Sequence, residues 1–404
     1  MRYSSLLLER FSMFLTCVPS EALVGVRPIT PYNGRIAVLK AVGPTIAPAI
    51  TNSKRRTRTR AARMLSNSAH GGSPTKKTKL SLFYNDIYRV ELPQGHRFPM
   101  EKYRLVREGL QRELGRGERR TACASFTVSP LASQEDLFTT HDRDYVERYF
   151  QGRFTPSENR VVGFPWSEAS VQRSTSSVGG TVEAMHAVCG GTSDGFSGER
   201  FARPLFAGHI AGGTHHAFRD RGEGFCVFSD IAVAANVALR DYSARIRQIL
   251  IVDCDVHQGN GNAVLFASNS RVFTFSMHCK ANYFSEKQTS DLDVEVADGA
   301  GDEEYLDLLR KHLPRLVDRV CPDLIFYQGG VDPLVHDRLG RLNLSREGLR
   351  HRNRFVYATA SERGIPVVIT MGGGYPRDLD PESTNFGHIV RSHQDVYADA
   401  VEYL

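Results

Sequence analysis

The chain has 404 residues, of which 41% are hydrophobic and 24% charged, ordinary values for a globular protein. No apolar run reaches the ~18 residues that a transmembrane helix needs, so no membrane span is expected. The seven cysteines are odd in number, widely spaced and without a CxxC pair. This pattern argues against a disulfide scaffold or a thiolate zinc finger and fits a reducing compartment.

Positive charge is concentrated in the first 79 residues. They hold 14 Lys and Arg against two acids, a net charge of +12, whereas the remaining 325 residues hold 37 and 43, a net charge of −6. A segment so polar and so rich in like charge predicts a disordered extension over 1–79, followed by a folded domain over 80–404. Direct nucleic-acid binding is not expected, because no stacking aromatics accompany the basic run Lys54–Arg63.

Three functions of this extension remain open. An Arg- and Ser-rich, acid-poor leader is typical of a transit peptide for a mitochondrion or plastid, and this is the localisation that we predict. The basic run Lys54–Arg63 also fits a nuclear-localisation or anionic-surface patch, which gives the nucleus or cytoplasm as the alternative. The third alternative is a solvated extension without an addressing role.

From Leu80 onward, short β-rich runs alternate with helical patterns. The predicted strands are Leu80–Tyr84, Ala124–Val128, Pro204–Ala207, Gln248–Asp253, Val272–Met277, Asp323–Tyr327 and Pro366–Met371. The predicted helices are Met100–Leu114, Ser170–Val188, Asp230–Arg240, Asn260–Ala267, Asp302–Val320 and Ser345–Glu362. The runs Ile249–Val252 and Leu324–Phe326 are apolar throughout, as in parallel strands buried on both faces. The sequence therefore predicts one three-layer α/β domain around a mostly parallel sheet.

Polar residues follow four of the predicted strands. They are Ala211-Gly-Gly-Thr-His-His216, Asp253-Cys-Asp-Val-His257, Asp332 and Tyr375. In an open parallel sheet, ligands bind beyond the carboxyl ends of the strands. Four such strand ends in one chain favour an active site over a set of solvated acids and capping histidines.

Two of the acids at these strand ends, together with one imidazole, fit a catalytic metal site. Asp253, Asp255 and His257 are spaced i, i+2, i+4, which puts their side chains on one side of an extended segment. Asp332 arrives from another strand. Two carboxylates and one imidazole would leave coordination positions open, as in catalytic zinc sites, although such a set also suits ferrous iron. Since only two of the three acids need bind metal, Asp253 can instead orient one histidine of the adjacent pair His215-His216, which is suited to general base catalysis.

Several ordered blocks make the chain resemble the zinc-dependent histone deacetylase superfamily, which has the arginase-like α/β fold. The blocks are Gly212-Gly-Thr-His-His-Ala217, Gly224-Phe-Cys226 leading to Asp230, Asp253-Cys-Asp-Val-His-Gln-Gly-Asn260, Gly329-Gly-Val-Asp-Pro333 and Gly372-Gly-Gly-Tyr375. The resemblance extends from about Leu80 to the C-terminus. The segments His96–Leu110 and Thr274–His278 are most similar to the class IV-like and bacterial branch.

The resemblance implies roles for individual residues. The zinc ligands would be Asp255, His257 and Asp332. His216 would be the general base and His215 its electrostatic or proton-shuttling neighbour, and Asp253 would orient His215. Asn260 stands where some classes carry an aspartate behind the base.

The resemblance also implies a substrate tunnel and a second cation. Tyr375 would donate a hydrogen bond to the substrate carbonyl. Phe225 would form one wall of an acyl-lysine tunnel, and Phe284 or Tyr283 the opposite wall, with Phe284 preferred. A structural potassium ion would use the acids and imidazole of Asp253–His257, main-chain oxygens and Ser276.

The predicted function is that of a metal-dependent amidohydrolase that removes acetyl or longer acyl groups from lysines of a protein or peptide, with histones among the candidates. An acetylpolyamine or small-metabolite deacetylase on the same scaffold is the alternative. A binuclear manganese ureohydrolase is disfavoured, because the region before Asp253 offers the His-His pair instead of further ligands. A catalytically silent binding module is disfavoured, because every implied catalytic position carries a competent residue. The oligomeric state stays open.

Overall fold

The structure is a computed structural model that describes residues 79–115, 123–190, 204–283 and 285–404. The described strands, β1 to β8 in chain order, are Leu80–Tyr84, Ala124–Val128, Phe206–His209, Ile249–Asp253, Val272–Cys279, Leu292–Val296, Leu324–Gln328 and Val367–Thr370. The described helices, α1 to α10, are Glu101–Leu114, Gln134–Leu137, Arg143–Phe150, Pro156–Val162, Glu168–Cys189, Asp230–Asp241, Asn260–Phe266, Asp302–Val320, Arg346–Ser361 and Thr384–Ala398. A 3₁₀ turn over Asp399–Tyr403 follows α10. The predicted extension lies outside the described residues, apart from Lys79.

The eight strands form one sheet in the order β2-β1-β3-β8-β7-β4-β5-β6, and every neighbouring pair is parallel. Alternate side chains of β4 enter two separate apolar clusters. Leu250 and Val252 pack with residues of α8 and α9, whereas Ile249 and Ile251 pack with residues of α5 and α6. Helices therefore cover both faces of the sheet, and the predicted three-layer α/β fold with a parallel sheet is confirmed. None of the described helices is long and apolar enough to cross a membrane.

The sequence did not predict, or bounded wrongly, those helices and strands that are short, partly polar or at an edge of the sheet. The third strand begins at Phe206 rather than at Pro204, since proline cannot donate to a ladder, and it continues through Gly208 to His209. Strand β6 was missed because it is a partly exposed edge strand with alternating polarity. Helices α2, α3 and α4 were missed because each spans eight residues or fewer, and α10 because buried Ser392 and His393 interrupt its apolar stripe.

The sheet order explains where a site can form. The four strands predicted to end in polar residues are β3, β4, β7 and β8, and they are consecutive neighbours in the order β3-β8-β7-β4. Their carboxyl ends therefore lie side by side at one edge, and the loops that follow them converge.

Candidate active site and metal centre

Asp255, His257 and Asp332 form a buried cluster whose potential ligand atoms all lie within 4.8 Å of one another. The His257 ring nitrogen Nδ1 lies 3.2 Å from Asp255 Oδ1 and 3.2 Å from Asp332 Oδ2. The backbone fixes both carboxylates. Val256 N donates to Asp332 Oδ1 at 2.9 Å, and Gly373 N donates to Asp255 Oδ2 at 2.8 Å. The three residues predicted as metal ligands are thus brought together from the ends of β4 and β7.

This cluster fits a divalent cation. Asp332 Oδ2 is buried and accepts no hydrogen bond, although His257 Nδ1 is nearby. Burial and repulsion from Asp255 raise the pKa of Asp332 to about 6. Burial alone would lower the pKa of His257, but the two carboxylates raise it to about 10 in the metal-free protein. Two buried acids that share a single imidazole between them are the environment expected of ligands poised for a cation.

Gly373 leaves the room that this cluster occupies. A Cβ atom at this position would lie 2.0 Å from Asp332 Oδ2 and 2.9 Å from Asp255 Oδ2. Any other residue would therefore displace two carboxylates at once. The glycines before Tyr375 therefore leave space for the two carboxylates as well as forming the turn.

The histidine pair lies beside the cluster, with His215 Nε2 3.8 Å from Asp255 Oδ1. His215 Nδ1 lies 2.7 Å from Asp253 Oδ2, which is the partner that the sequence suggested. Burial lowers the pKa of His215, but Asp253 and Asp255 outweigh it and raise this pKa to about 9. His215 is therefore the charged member of the pair.

His216 is the neutral member. Its Nδ1 lies 2.8 Å from the side-chain oxygen Oδ1 of Asn260, and Asn260 is the first residue of α7. Burial and the neighbouring charges of His215 and His257 hold the pKa of His216 well below its usual value. A neutral imidazole with Nδ1 bound to an amide oxygen leaves Nε2 as the nitrogen that exchanges protons, as a general base requires.

The surroundings of Asn260 were not foreseen from the sequence. Glu223, in the loop after β3, is buried and accepts a hydrogen bond from Asn260 Nδ2 at 2.7 Å. The Tyr283 hydroxyl donates to the same Glu223 oxygen at 2.8 Å and lies 3.1 Å from His216 Nδ1. The sequence suggests Tyr283 only as a tunnel wall. The one available signal was a glutamate directly before the Gly224-Phe-Cys block.

Tyr375 follows β8 on a turn held by buried groups. Its backbone N donates to Asp337 Oδ2 at 2.5 Å, and Lys102 Nζ donates to Gly374 O at 2.9 Å. Burial lowers the pKa of Lys102 to about 8, whereas burial and the acids Asp255 and Asp332 hold the pKa of Tyr375 well above 10. The phenol therefore stays a hydrogen-bond donor at neutral pH. Lys102 and Asp337 were not identified from the sequence.

Aromatic rings form one side of the approach to this centre. Phe225 lies 5.0 Å from Phe98 and 5.3 Å from Phe164, measured between ring centroids, and 6.1 Å from Tyr375. Phe225 adopts a φ of 67°, an uncommon backbone conformation for a residue with a bulky side chain. The tight turn thus projects this ring into the passage. Phe284, predicted for the opposite wall, lies outside the described residues.

The residues named for potassium also lie together. Ser276 on β5 pairs in register with Asp253 on β4, and both side chains are buried. Oxygen donors of this kind suit a hard cation, and a potassium ion here stays a prediction.

Comparisons with known proteins identify the family of this chain. A family model described as the histone deacetylase domain matches residues 96–386. An uncharacterized protein of Picosynechococcus sp. is 40% identical over 78% of this chain and 98% of its own length. Histone deacetylase 2 of Arabidopsis thaliana is 28% identical over 81% of this chain and 79% of its own length.

Solved structures support the fold. An HDAC homologue in complex with SAHA superposes with a TM-score of 0.61 over 81% of this chain and 85% of that chain, at 22% identity. At this identity the likeness bears on the architecture alone. The family model covers most of the chain, which confirms the resemblance deduced from the sequence blocks. This chain therefore belongs to the histone deacetylase family.

Proposed function

We propose that this protein is a metal-dependent lysine deacylase, which hydrolyses the amide of acetyl-lysine or a longer acyl-lysine in a protein or peptide. The observation that carries the proposal is the convergence of a buried Asp-His-Asp cluster, a neutral histidine and a phenol donor at four adjacent strand ends. Amide hydrolysis needs these parts: a polarised carbonyl, an activated water and a proton for the departing amine.

The metal would be held by Asp255, His257 and Asp332, and zinc is our first choice, with ferrous iron suited to the same ligands. When bound, it would supply Lewis acidity toward the carbonyl oxygen and lower the pKa of water.

The chain's own residues would perform the remaining steps. His216 takes the proton from water at Nε2, while Asn260 holds its Nδ1. His215, kept charged by Asp253, stabilises negative charge that develops beside it and returns a proton to the amine. The Tyr375 hydroxyl donates to the carbonyl oxygen as that oxygen gains charge.

The mouth of the site favours a peptide over a polyamine. The recess above the metal cluster has a volume of about 540 Å³ and is lined by Arg97, Arg160 and Arg341. Among the described lining residues the one carboxylate is Glu223, which already accepts two hydrogen bonds. Like charges at a binding surface suppress the wrong partner. Arg341 is paired with Asp298 at 3.6 Å, so the repulsion of a cationic acetylpolyamine would come chiefly from Arg97 and Arg160. A peptide with neutral or acidic residues around its acyl-lysine would not be repelled.

A deacylation panel with the purified, metal-loaded protein tests this proposal. It compares acetyl-lysine peptides, long-chain acyl-lysine peptides and acetylpolyamines, and it monitors release of the free amine. We expect kcat/KM to be highest for an acyl-lysine peptide and to vanish on chelation. Turnover of acetylpolyamines above every peptide would favour the alternative, and activity in a verified metal-free sample would refute the mechanism.

A further inference from the structure

Glu223 is a buried carboxylate that the chemistry above does not use. Its side chain makes no ion pair with Lys or Arg in the described part of the chain, and its Oε1 atom accepts from Asn260 Nδ2 and from the Tyr283 hydroxyl. Burying a carboxylate costs free energy unless donors compensate it. Both of these donors stand directly behind the His216 ring, which suggests a function connected with that ring.

The hydrogen-bonding capacity of each group fixes the direction of the network. A carboxylate only accepts, so the Asn260 group that faces Glu223 must be the NH₂. The Asn260 carbonyl oxygen is then directed to His216 Nδ1, at 2.8 Å. A carbonyl oxygen also only accepts, so Nδ1 of the neutral ring must carry the proton, which leaves a lone pair on Nε2.

Without Glu223, the orientation of the Asn260 amide would not be fixed. Rotation of the amide by 180° exchanges two groups of nearly equal size, and it would present NH₂ to His216. That orientation favours the other tautomer, in which Nδ1 accepts and Nε2 is protonated and cannot act as a base. In a site with aspartate at this position no such ambiguity exists, because a carboxylate has no donor.

We propose that Glu223 is a positioning residue, which orients the Asn260 amide and thereby selects the His216 tautomer with a proton on Nδ1. Glu223 and Asn260 together provide the fixed acceptor for His216 Nδ1 that a single aspartate would provide alone. The negative charge then lies one residue further from the His216 ring. This inference rests on the proposed function for its effect on catalysis, whereas the tautomer itself is independent of substrate.

Exchange of the two side chains provides the sharpest test. Glu223→Gln removes the charge and lets the Asn260 amide turn. Asn260→Asp places two buried carboxylates against each other. The double variant Glu223→Gln/Asn260→Asp restores a carboxylate facing His216 and a donor facing that carboxylate. We expect each single variant to lower kcat by roughly 10–100-fold, the usual effect of removing such a supporting partner, with KM nearly unchanged.

The double variant should recover kcat to above that of either single variant. Effects that multiply in the double variant would overturn the proposal, as would a kcat within twofold of the native enzyme for Glu223→Gln. Glu382→Gln, the same substitution at an exposed site, is the matched control. Metal content and Tm of each variant identify losses that come from unfolding or from loss of the metal.

A second measurement separates this inference from the proposed function. Nitrogen-15 NMR of histidine-labelled protein, with the His216 signals assigned from a His216→Gln variant, reports which ring nitrogen carries the proton. We expect Nδ1–H in the native protein and in the double variant, and a mixture or the opposite tautomer in Glu223→Gln. Nε2–H in the native protein would refute the positioning role, even if the protein proved inactive on every acyl-lysine substrate.

Discussion

Tyr375→Phe isolates one hydrogen bond at the reacting centre. The substitution keeps the aromatic ring, its 6.1 Å contact with Phe225 and the backbone bond to Asp337, and it removes only the hydroxyl. Within the described residues this hydroxyl has no hydrogen-bond partner, so its loss leaves no buried group unsatisfied. We therefore expect the free energy of unfolding to change by about 0.5 kcal/mol at most.

The catalytic effect should be much larger than the structural one. Removing one preorganised donor to a developing oxyanion costs about 2.7–4 kcal/mol, which corresponds to a 10²–10³-fold loss in kcat. KM should change little, since the bond forms chiefly as the carbonyl oxygen gains charge. Because burial and two nearby acids hold the pKa of Tyr375 well above 10, the native donor is fully protonated from pH 6 to 9. The loss should accordingly be the same throughout this range.

The assay is steady-state hydrolysis of the best acyl-lysine peptide from the panel, with metal content and Tm measured on the same preparations. Tyr403→Phe, far along the chain from the site, is the matched control for loss of a tyrosine hydroxyl. If Tyr375→Phe turns over within twofold of the native enzyme while holding its metal, Tyr375 is not the oxyanion donor.

Three further predictions concern the metal, the mouth and the extension. Asp332→Asn should lose metal and activity together, unlike the exposed control Asp307→Asn. In the native protein the metal must displace a proton from His257, whose pKa is about 10, so we expect the affinity for the metal to rise about tenfold per pH unit between pH 7 and 9. A metal affinity that calorimetry shows to be independent of pH would contradict this. The double variant Arg97→Glu/Arg160→Glu should lower kcat/KM for peptides with acidic residues beside the acyl-lysine and raise it for peptides with basic residues there. Added salt should weaken this effect, and the control Arg310→Glu should not reproduce it. Equal effects on both kinds of peptide would exclude a charge-based preference. Residues 1–79 fused to a fluorescent reporter should direct it to an organelle, while their deletion leaves kcat/KM intact, and a folded but inactive truncated enzyme would show that the extension contributes to the site.

The sequence predicted the parts of the fold that are governed by apolar patterning. The α8 bounds were correct to the residue, because Leu306, Leu309, Leu313 and Val317 recur at helical spacing. The runs Ile249–Val252 of β4 and Leu324–Phe326 of β7 are apolar throughout, and both strands have a neighbouring strand on each side. Edge strand β6 alternates polar and apolar residues, and the helices α2, α3 and α4 are each eight residues or shorter, so the apolar pattern is weak in all four elements.

The site was predictable to the extent that its residues follow strands in the chain. Asp255, His257, Asp332 and Tyr375 each stand just beyond a buried run, and a parallel sheet gathers such positions at one edge. Glu223, Lys102 and Asp337 have no such marker. Glu223 and Lys102 reach the site from loops or helices distant in sequence, and only the folded chain shows their contacts.

Charge balance explains how one edge of the sheet holds so many buried acids. Asp253 is paired with His215, and Glu223 accepts from two donors. Asp337 accepts from three backbone N–H groups, those of Leu339, Gly340 and Tyr375. Among these carboxylates the orphan oxygen is Asp332 Oδ2, in the metal cluster. A cation bound there would satisfy this oxygen and relieve the repulsion from Asp255 that raises the pKa of Asp332. Since a ligand that binds only the folded state stabilises it, metal removal should lower Tm as well as abolish activity.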